Sequence, residues 1–203
     1  MKLTDKLSSL LLKKTPALIE PLEARIAPAI NNWIGVVGGN WNVAGNWSDG
    51  VPTADDDVFI NPAGTLTITV SDNGRVANTV TLAGDDHLAI VGGSLTVAAA
   101  STVNHLDFSG GTLVSNGLLT LTGASTASGN ATFAGTFRNE GALAITGGIV
   151  HLDSAVLNNA GTITQTGTRL DFNGANSALN NLAGALYEVK APGDGPLDRK
   201  SVV

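Results

Sequence analysis

Three tripeptides of one form carry the residue types most able to do chemistry: His105-Leu106-Asp107, His151-Leu152-Asp153 and Arg169-Leu170-Asp171. In an extended chain, alternate side chains point to opposite faces. Each central leucine is therefore expected to face a core, leaving a cationic or imidazole group and a carboxylate outward. The steps between them are close to two repeats and one repeat of the longer period described below. If they stack, Asp107, Asp153 and Asp171 form an outward ladder flanked by His105, His151 and Arg169. Paired carboxylates can serve as acid and base, or as nucleophile, in glycoside cleavage. The competing reading is an exposed band of charge pairs, each worth well under about 1 kcal/mol.

A second acidic feature is the run Asp55-Asp56-Asp57. Calcium takes six to eight oxygen ligands, and such a run offers some of them. The spacing of an EF-hand is absent, however, and alternate residues entering a strand diverge, so a solvated strand entrance is the competing reading. His87, His105 and His151 lack the short spacings of a zinc site. Neither a Gly-x-Ser-x-Gly elbow nor a phosphate-binding glycine loop with its lysine occurs. The chain has no cysteine, which excludes disulfide frameworks and thiolate chemistry. Its net charge of −6 argues against a nucleic-acid partner. No apolar run approaches the roughly 20 residues of a membrane-spanning helix, so no transmembrane segment is expected.

The elements that must position these groups read as strands. Between Val58 and Lys190 the chain alternates apolar and polar residues in short bursts, among them Leu66/Ile68/Val70, Leu88/Ile90, Leu106/Phe108, Leu143/Ile145 and Leu170/Phe172. Threonine and β-branched residues at period two describe half-buried strand. Asp72-Asn73-Gly74, Gly92-Gly93, Gly110-Gly111 and Gly147-Gly148 punctuate the bursts as turns. A longer period overlies the alternation. Phe137-Arg138-Asn139-Glu140-Gly141 recurs as Leu157-Asn158-Asn159-Ala160-Gly161 and as Leu179-Asn180-Asn181-Leu182-Ala183-Gly184, with a fainter copy at Val114-Ser115-Asn116-Gly117. Asn116, Asn139, Asn159 and Asn181 thus mark one recurring position. A repeat of about 20–23 residues with several strands describes a right-handed parallel β-helix, each repeat being one coil. Roughly six coils at about 4.8 Å spacing would give a rod about 29 Å long. An up-and-down barrel or a sandwich explains the alternation and not the repeat.

Composition divides the chain into a leader over 1–30, helical or disordered, a cap over 31–57, coils over 58–197, and a tail over 198–203. The leader carries five basic and three acidic residues, whereas Asn31 to Leu197 carries four basic and thirteen acidic ones. Leu3, Leu7, Leu10 and Leu11 share one helical face. The apolar stretch Leu10-Leu11-Leu12 ends at Lys13, too short for an ordinary secretory signal. The tail Asp198-Arg199-Lys200-Ser201-Val202-Val203 is what GAT CGG AAG AGC GTC GTG encodes. That string resembles a common sequencing adapter, in which the stop TAG follows. The tail is therefore read as non-native, and the natural chain as continuing past Leu197.

All three tryptophans lie in the cap, which reads Gly39-Asn40-Trp41-Asn42-Val43-Ala44-Gly45-Asn46-Trp47 and leads to Val51-Pro52 and Asp55-Asp56-Asp57. This stretch, with the glycine- and threonine-rich repeats after it, resembles the opening of bacterial secreted β-helix proteins of the autotransporter-passenger and filamentous-haemagglutinin adhesin kinds. Leu22-Glu23-Ala24-Arg25-Ile26-Ala27-Pro28-Ala29 resembles the LEPR-x-LL leader of very large bacterial surface proteins, with Ala24 in place of proline and Ile26-Ala27-Pro28 departing from the leucine pair. The resemblance implies an extracellular or cell-surface repeat protein, structural or adhesive and not an enzyme. Its contacts would be a host or environmental glycan or protein surface, or neighbouring repeats. The alternative is a carbohydrate-active β-helix enzyme, hydrolase or lyase, using the aspartate ladder. No cofactor is expected beyond calcium at Asp55, Asp56 and Asp57.

Overall fold

The computed structural model describes residues 28–166 and 169–190. The leader up to Ala27 and the tail over 198–203 lie outside the described residues. Fourteen strands follow in order: β1 (Ala29–Asn32), β2 (Gly39–Asn40), β3 (Asp56–Ile60), β4 (Thr67–Val70), β5 (Arg75–Ala77), β6 (Thr79–Val97), β7 (Ser101–Leu121), β8 (Ala124–Asn139), β9 (Ala142–Thr146), β10 (Ile149–Asn159), β11 (Thr162–Thr166), β12 (Arg169–Asn173), β13 (Ala178–Asn181) and β14 (Leu186–Lys190). All pairings between them are parallel, and they wind into a β-solenoid of about seven turns. No α-helix occurs among the described residues.

The turns present three faces. The first stacks β1, β3, Thr79–Leu82, Thr102–Val103, Leu118–Leu121, Thr136–Asn139, Val156–Asn159 and β13. The second stacks β2, β4, His87–Ile90, His105–Phe108, Thr126–Ala127, β9, β11 and β14. The third stacks β5, Leu95–Val97, Thr112–Ser115, Ala131–Gly135, Ile149–Asp153 and β12. β6, β7, β8 and β10 are long because they bend through corners and serve more than one face.

Period two decides which residues meet inside. Ile68, Leu88 and Leu106 stand directly above one another, as do Leu95, Leu113, Phe133, Leu152 and Phe172. All but Phe172, which is half-buried, are fully buried. Each such leucine removed from water contributes about 1.5–3 kcal/mol. It does so only because the next coil covers it. Phe133 ties the three faces together, lying edge-on to Phe108 at 5.0 Å and to Phe137 at 5.1 Å.

The tryptophan segment, read as a cap, is built into the solenoid. It is itself the first coil, since β1 and β2 continue the first and second ladders. That coil runs from Ala29 to its partner Asp56 and is longer than the coil from Asp57 to Thr79 that follows. The excess folds back against β1. Trp33 and Trp47 form an antiparallel bridge, and the Ser48 backbone N–H donates to the Asn32 carbonyl at 2.9 Å. Asn31, fully buried, accepts from the Asp49 N–H at 3.2 Å and donates to the Gly50 carbonyl at 2.9 Å. Trp47 stacks edge-on between Trp33 and Trp41, and its Nε1 donates to the Trp41 carbonyl at 2.7 Å. An open strand edge is a template for unwanted pairing, and here the chain's own return covers it.

Asparagine serves the corner between the first and second faces. Asn139, Asn159 and Asn181 share one inward column. Asn139 Nδ2 donates to Asn159 Oδ1 at 2.8 Å, and Asn159 Nδ2 to Asn181 Oδ1 at 2.7 Å. The same amides reach the carbonyls of Thr162 and Leu186, where the chain has turned onto the next face. Just after Asn139 and Asn159, Gly141 and Gly161 make the corner. A Cβ on Gly161 would fall on the Gly141 carbonyl oxygen, and one on Gly141 on that of Gly123. Asn116 does not belong to the column. The position below Asn139 is Leu121, because the coil from Leu119 to Phe137 is shorter than the one from Phe137 to Leu157. Asn116 instead sits exposed in the irregularity between Ser115 and Leu118. Leu121 has no donor to offer, which leaves Asn139 Oδ1 buried without a partner.

Asn159→Ala would strand Asn181 Oδ1 and the Leu186 carbonyl in the interior. Urea unfolding is expected to show a loss of about 2–3 kcal/mol, since each buried unsatisfied group costs about 1–3 kcal/mol. Asn116→Ala should change stability by less than about 0.5 kcal/mol. A second test concerns the last coil, where burial raises the Tyr187 phenol above its ordinary 10.0 and the hydroxyl bonds to Gln165 Oε1. The unfolded chain ionises first as pH rises, so this residue's contribution is intact below the ordinary phenol value and is lost as pH climbs through the raised one. Thermal unfolding of Tyr187→Phe should therefore fall less steeply than that of the parent once pH exceeds the ordinary phenol value.

Candidate functional site

The structure places the three tripeptides on different ladders. Leu106, Leu152 and Leu170 face inward as expected. The tripeptide at 105–107 lies on the second face, whereas those at 151–153 and 169–171 lie on the third. Asp107 climbs through Thr126 to Ala144 in two coils, so the step from Asp107 to Asp153 overshoots by part of a coil. The step from His151 to Arg169 falls short of the local coil, which carries Ile149 to Arg169. Arg169 consequently stands over Ile149, Asp171 over His151 and Asn173 over Asp153. The single aspartate ladder is thereby corrected to one isolated aspartate and one diagonal pair.

On the third face Asp171 is held by its own strand. Arg169 Nε lies 2.6 Å from Oδ1, and Nη2 donates to Oδ2 at 2.8 Å. His151 Nδ1 is 3.8 Å from Asp171 Oδ2 and closer, 3.0 Å, to Asn173 Nδ2. Because an amide nitrogen only donates, that contact makes His151 Nδ1 an acceptor. Asp153 is exposed. Its diagonal neighbour is Asp171, one coil on and two residues back in register.

The denser cluster lies on the second face and includes His87, which the sequence spacing did not single out. His87 and His105 are register partners whose rings stack at 4.8 Å with 14° between their planes. His87 Nδ1 approaches Asp107 Oδ2 at 2.7 Å, and the Thr126 hydroxyl donates to Asp107 Oδ1 at 3.2 Å. A carboxylate only accepts, so His87 carries a proton on Nδ1. His105 Nδ1 donates to the Ala124 carbonyl at 2.8 Å, and its Nε2 faces the Asn104 amide at 3.2 Å. Both nitrogens of His105 are committed, and it acts as a wall. His87 with Asp107 has the form of a base and the group that orients it. The hydroxyl bonded here, that of Thr126, is turned to the carboxylate and not to the imidazole. The cluster is joined by the step from His87 to His105, which only a known coil length makes visible.

Beyond His105 the outward positions of the second face become small. Ala124 and Ala142 are register partners, as are Thr126 and Ala144. A shallow groove of about 370 Å³ results, running from His87, His105 and Asp107 across these alanines to Thr162 and Thr164. Past it stand Leu186 and Glu188, the latter paired with Lys190 at 3.0 Å.

The acidic run does not converge. Asp56 is buried and its Oδ2 accepts from the Thr53 N–H at 2.7 Å and hydroxyl at 2.9 Å. Asp57 accepts from Asn78 and Thr79 of the next coil, both at 2.8 Å. Asp55 is exposed. Asp56 and Asp57 act as a turn cap and a link between coils. Among the described residues no three His, Asp or Glu side chains are placed to share a metal ion, and no helix is long and apolar enough to cross a membrane.

Comparison with known proteins returned no matching family model, no similar curated protein and no similar solved structure. The geometry alone must rank the site residues. The side chains of His87 and Asp107 are 33% and 42% exposed, so their pairing is screened by water. Asp107→Ala and His87→Ala are each expected to lower unfolding free energy by no more than about 1 kcal/mol. A loss several times larger in chemical denaturation would mean that the pair holds the second face together.

Proposed function

We propose that this chain is a non-enzymatic structural or adhesive stalk, part of a large bacterial extracellular repeat protein displayed at the cell surface. One observation carries the reading: the same in-register parallel stacking continues from β1 to β14, and its outward rows are bonded from coil to coil by short polar side chains. Asn180 donates to Asn158 at 2.9 Å, Asn42 to Asp72 at 2.6 Å and Asn78 to Asp57 at 2.8 Å. Such rows stiffen the stack and present many equivalent weak contacts to a glycan or protein surface. Valency then supplies avidity, raising apparent affinity by about 10²–10⁴ without a deep pocket.

The diagonal Asp153 and Asp171 favour one second reading, a polysaccharide-cleaving enzyme. Against it stands the Arg169 guanidinium, which occupies both oxygens of Asp171. On the second face the carboxylates are too far apart. Asp107 and Glu188 are separated by four coil steps, about 19 Å, where glycoside cleavage needs about 5–9.5 Å.

The test compares the chain free in solution with the chain displayed densely on beads, over glycan-coated and protein-coated surfaces. Beads are expected to adhere at chain concentrations at least about a hundredfold lower than free chain requires. Asp153→Asn with Asp171→Asn should leave that adhesion intact. Release of reducing ends from acidic or neutral polysaccharides, abolished by the double substitution, would establish the enzyme instead.

A further inference from the structure

The groove on the second face has features that the stalk reading does not require. A stack whose apolar core is inward does not require its outward side chains to be small. Yet the outward positions from Ala124 to Ala144 are small over two successive coils, and the stacked pair His87 and His105 stops abruptly against them. The two rings continue one another at 4.8 Å, and the place where a third side chain would stand is Ala124. The groove thus has an imidazole wall at one end and methyl groups for a floor.

The polar groups beside the imidazoles are a carboxylate and hydroxyls. Asp107 offers carboxylate lone pairs at the wall, with Oδ2 already held by His87 and Oδ1 by Thr126, which fixes its orientation. Thr126, Thr162 and Thr164 border the floor. Asp107 is the one carboxylate that lines the groove, and Glu188, past its far end, is paired with Lys190. The sequence from Asn31 to Leu197 carries nine more acidic than basic residues, so its field repels anions. A hydrocarbon chain would remain wet in so shallow a trough and leave the carboxylate unused. From the His105 position to the Thr162 position is three coil steps, about 14 Å. An occupant of that length needs flat apolar patches for the imidazole and alanines, hydroxyl donors for the carboxylate and threonines, and no negative charge.

The geometry points to a binding site for a short neutral oligosaccharide, lying along the solenoid axis on the second face between His105 and Thr164. This deepens the adhesive reading and rests on it, since it names the surface that would do the adhering and the class of molecule adhered to. Charge complementarity selects the neutral sugar over an acidic one. His105 and Ala142 supply the apolar contact, and Asp107 accepts the hydroxyl.

Titration calorimetry with cellotetraose, maltotetraose and tetragalacturonate tests this on the intact chain. At least one of the neutral sugars is expected to bind with a dissociation constant of about a millimolar or tighter, and tetragalacturonate at least tenfold more weakly. Ala144→Phe should weaken the neutral sugar by about tenfold or more, by filling the floor. Thr132→Phe, outward on the third face, should leave it within about twofold. Matching urea midpoints for the two variants and the parent show that neither effect is unfolding. The inference is overturned by the absence of saturable heat with both neutral sugars, by tighter binding of tetragalacturonate, or by an Ala144→Phe chain that binds like the parent. If the groove is silent while beads still adhere to coated surfaces, the site is wrong and the stalk reading stands. If both fail, the adhesive reading fails with it.

Discussion

No coil of this protein can bury its own inward row, and the rest of the structure follows from that. A single turn has strands on three sides and no second layer to close them. The apolar side chains and the strand N–H and C=O groups find partners only on the turns above and below. Parallel pairing makes the match strict. Because side chains alternate, a slip of one residue turns the whole inward row to water, and a slip of two leaves the faces intact while changing every vertical neighbour. The polar columns obey the same rule as the apolar ones. Asn139, Asn159 and Asn181 are tolerated in the core because each finds the next directly above it.

Stacking also decides where the chain must be small. At the corner between the first and second faces the backbones of successive coils approach until a methyl group has no place, and Gly123, Gly141 and Gly161 meet there. Variation in coil length falls at the corners between faces. Leu119 to Phe137 makes a short coil and Ile163 to Tyr187 a long one, yet the strands themselves remain in register. The long last corner runs Leu182-Ala183-Gly184-Ala185, where the Asn181 amide turns back to bond the Ala185 carbonyl at 3.0 Å. The first coil uses its surplus differently, laying Asn46 to Gly50 along the edge of β1, where a further coil would otherwise pair.

This division between rigid strands and adjustable corners explains what could be read from the sequence. The inward residues were legible because alternation is local: Leu88/Ile90, Leu106/Phe108 and Leu143/Ile145 all face the core. The solenoid itself was legible in the asparagine-glycine repeat, whose period is that of the coils that carry it, since Asn139, Asn159 and Asn181 are register partners. Vertical neighbours were not legible. Identifying them requires the length of every corner, and corners carry no pattern of their own. The motif at Arg169 therefore slipped by two positions relative to that at His151, and the motif at Asp107 fell on another face. Asn116 was joined to a column whose true member is Leu121. His87 carries no local signal of its role for the same reason, since its partners at 105 and 107 lie in another coil and share no local motif with it.

A consequence for function is that in such a fold a site is a property of columns and not of segments. The groups that meet at the groove come from five successive coils, and each occupies an ordinary outward position of its own strand. What distinguishes them is the order in which side chains of different size succeed one another along the axis: two imidazoles, then alanines, then threonines. The inward core does not depend on that order, because the outward side chains lie outside it. The scaffold can therefore hold its shape while the outward columns vary, and recognition can be written on one face without disturbing the core that supports it. The third face makes the same point in reverse. There Arg169 and Asp171 come together beside His151, but the guanidinium and the carboxylate are spent on one another, and the groove is left to the second face.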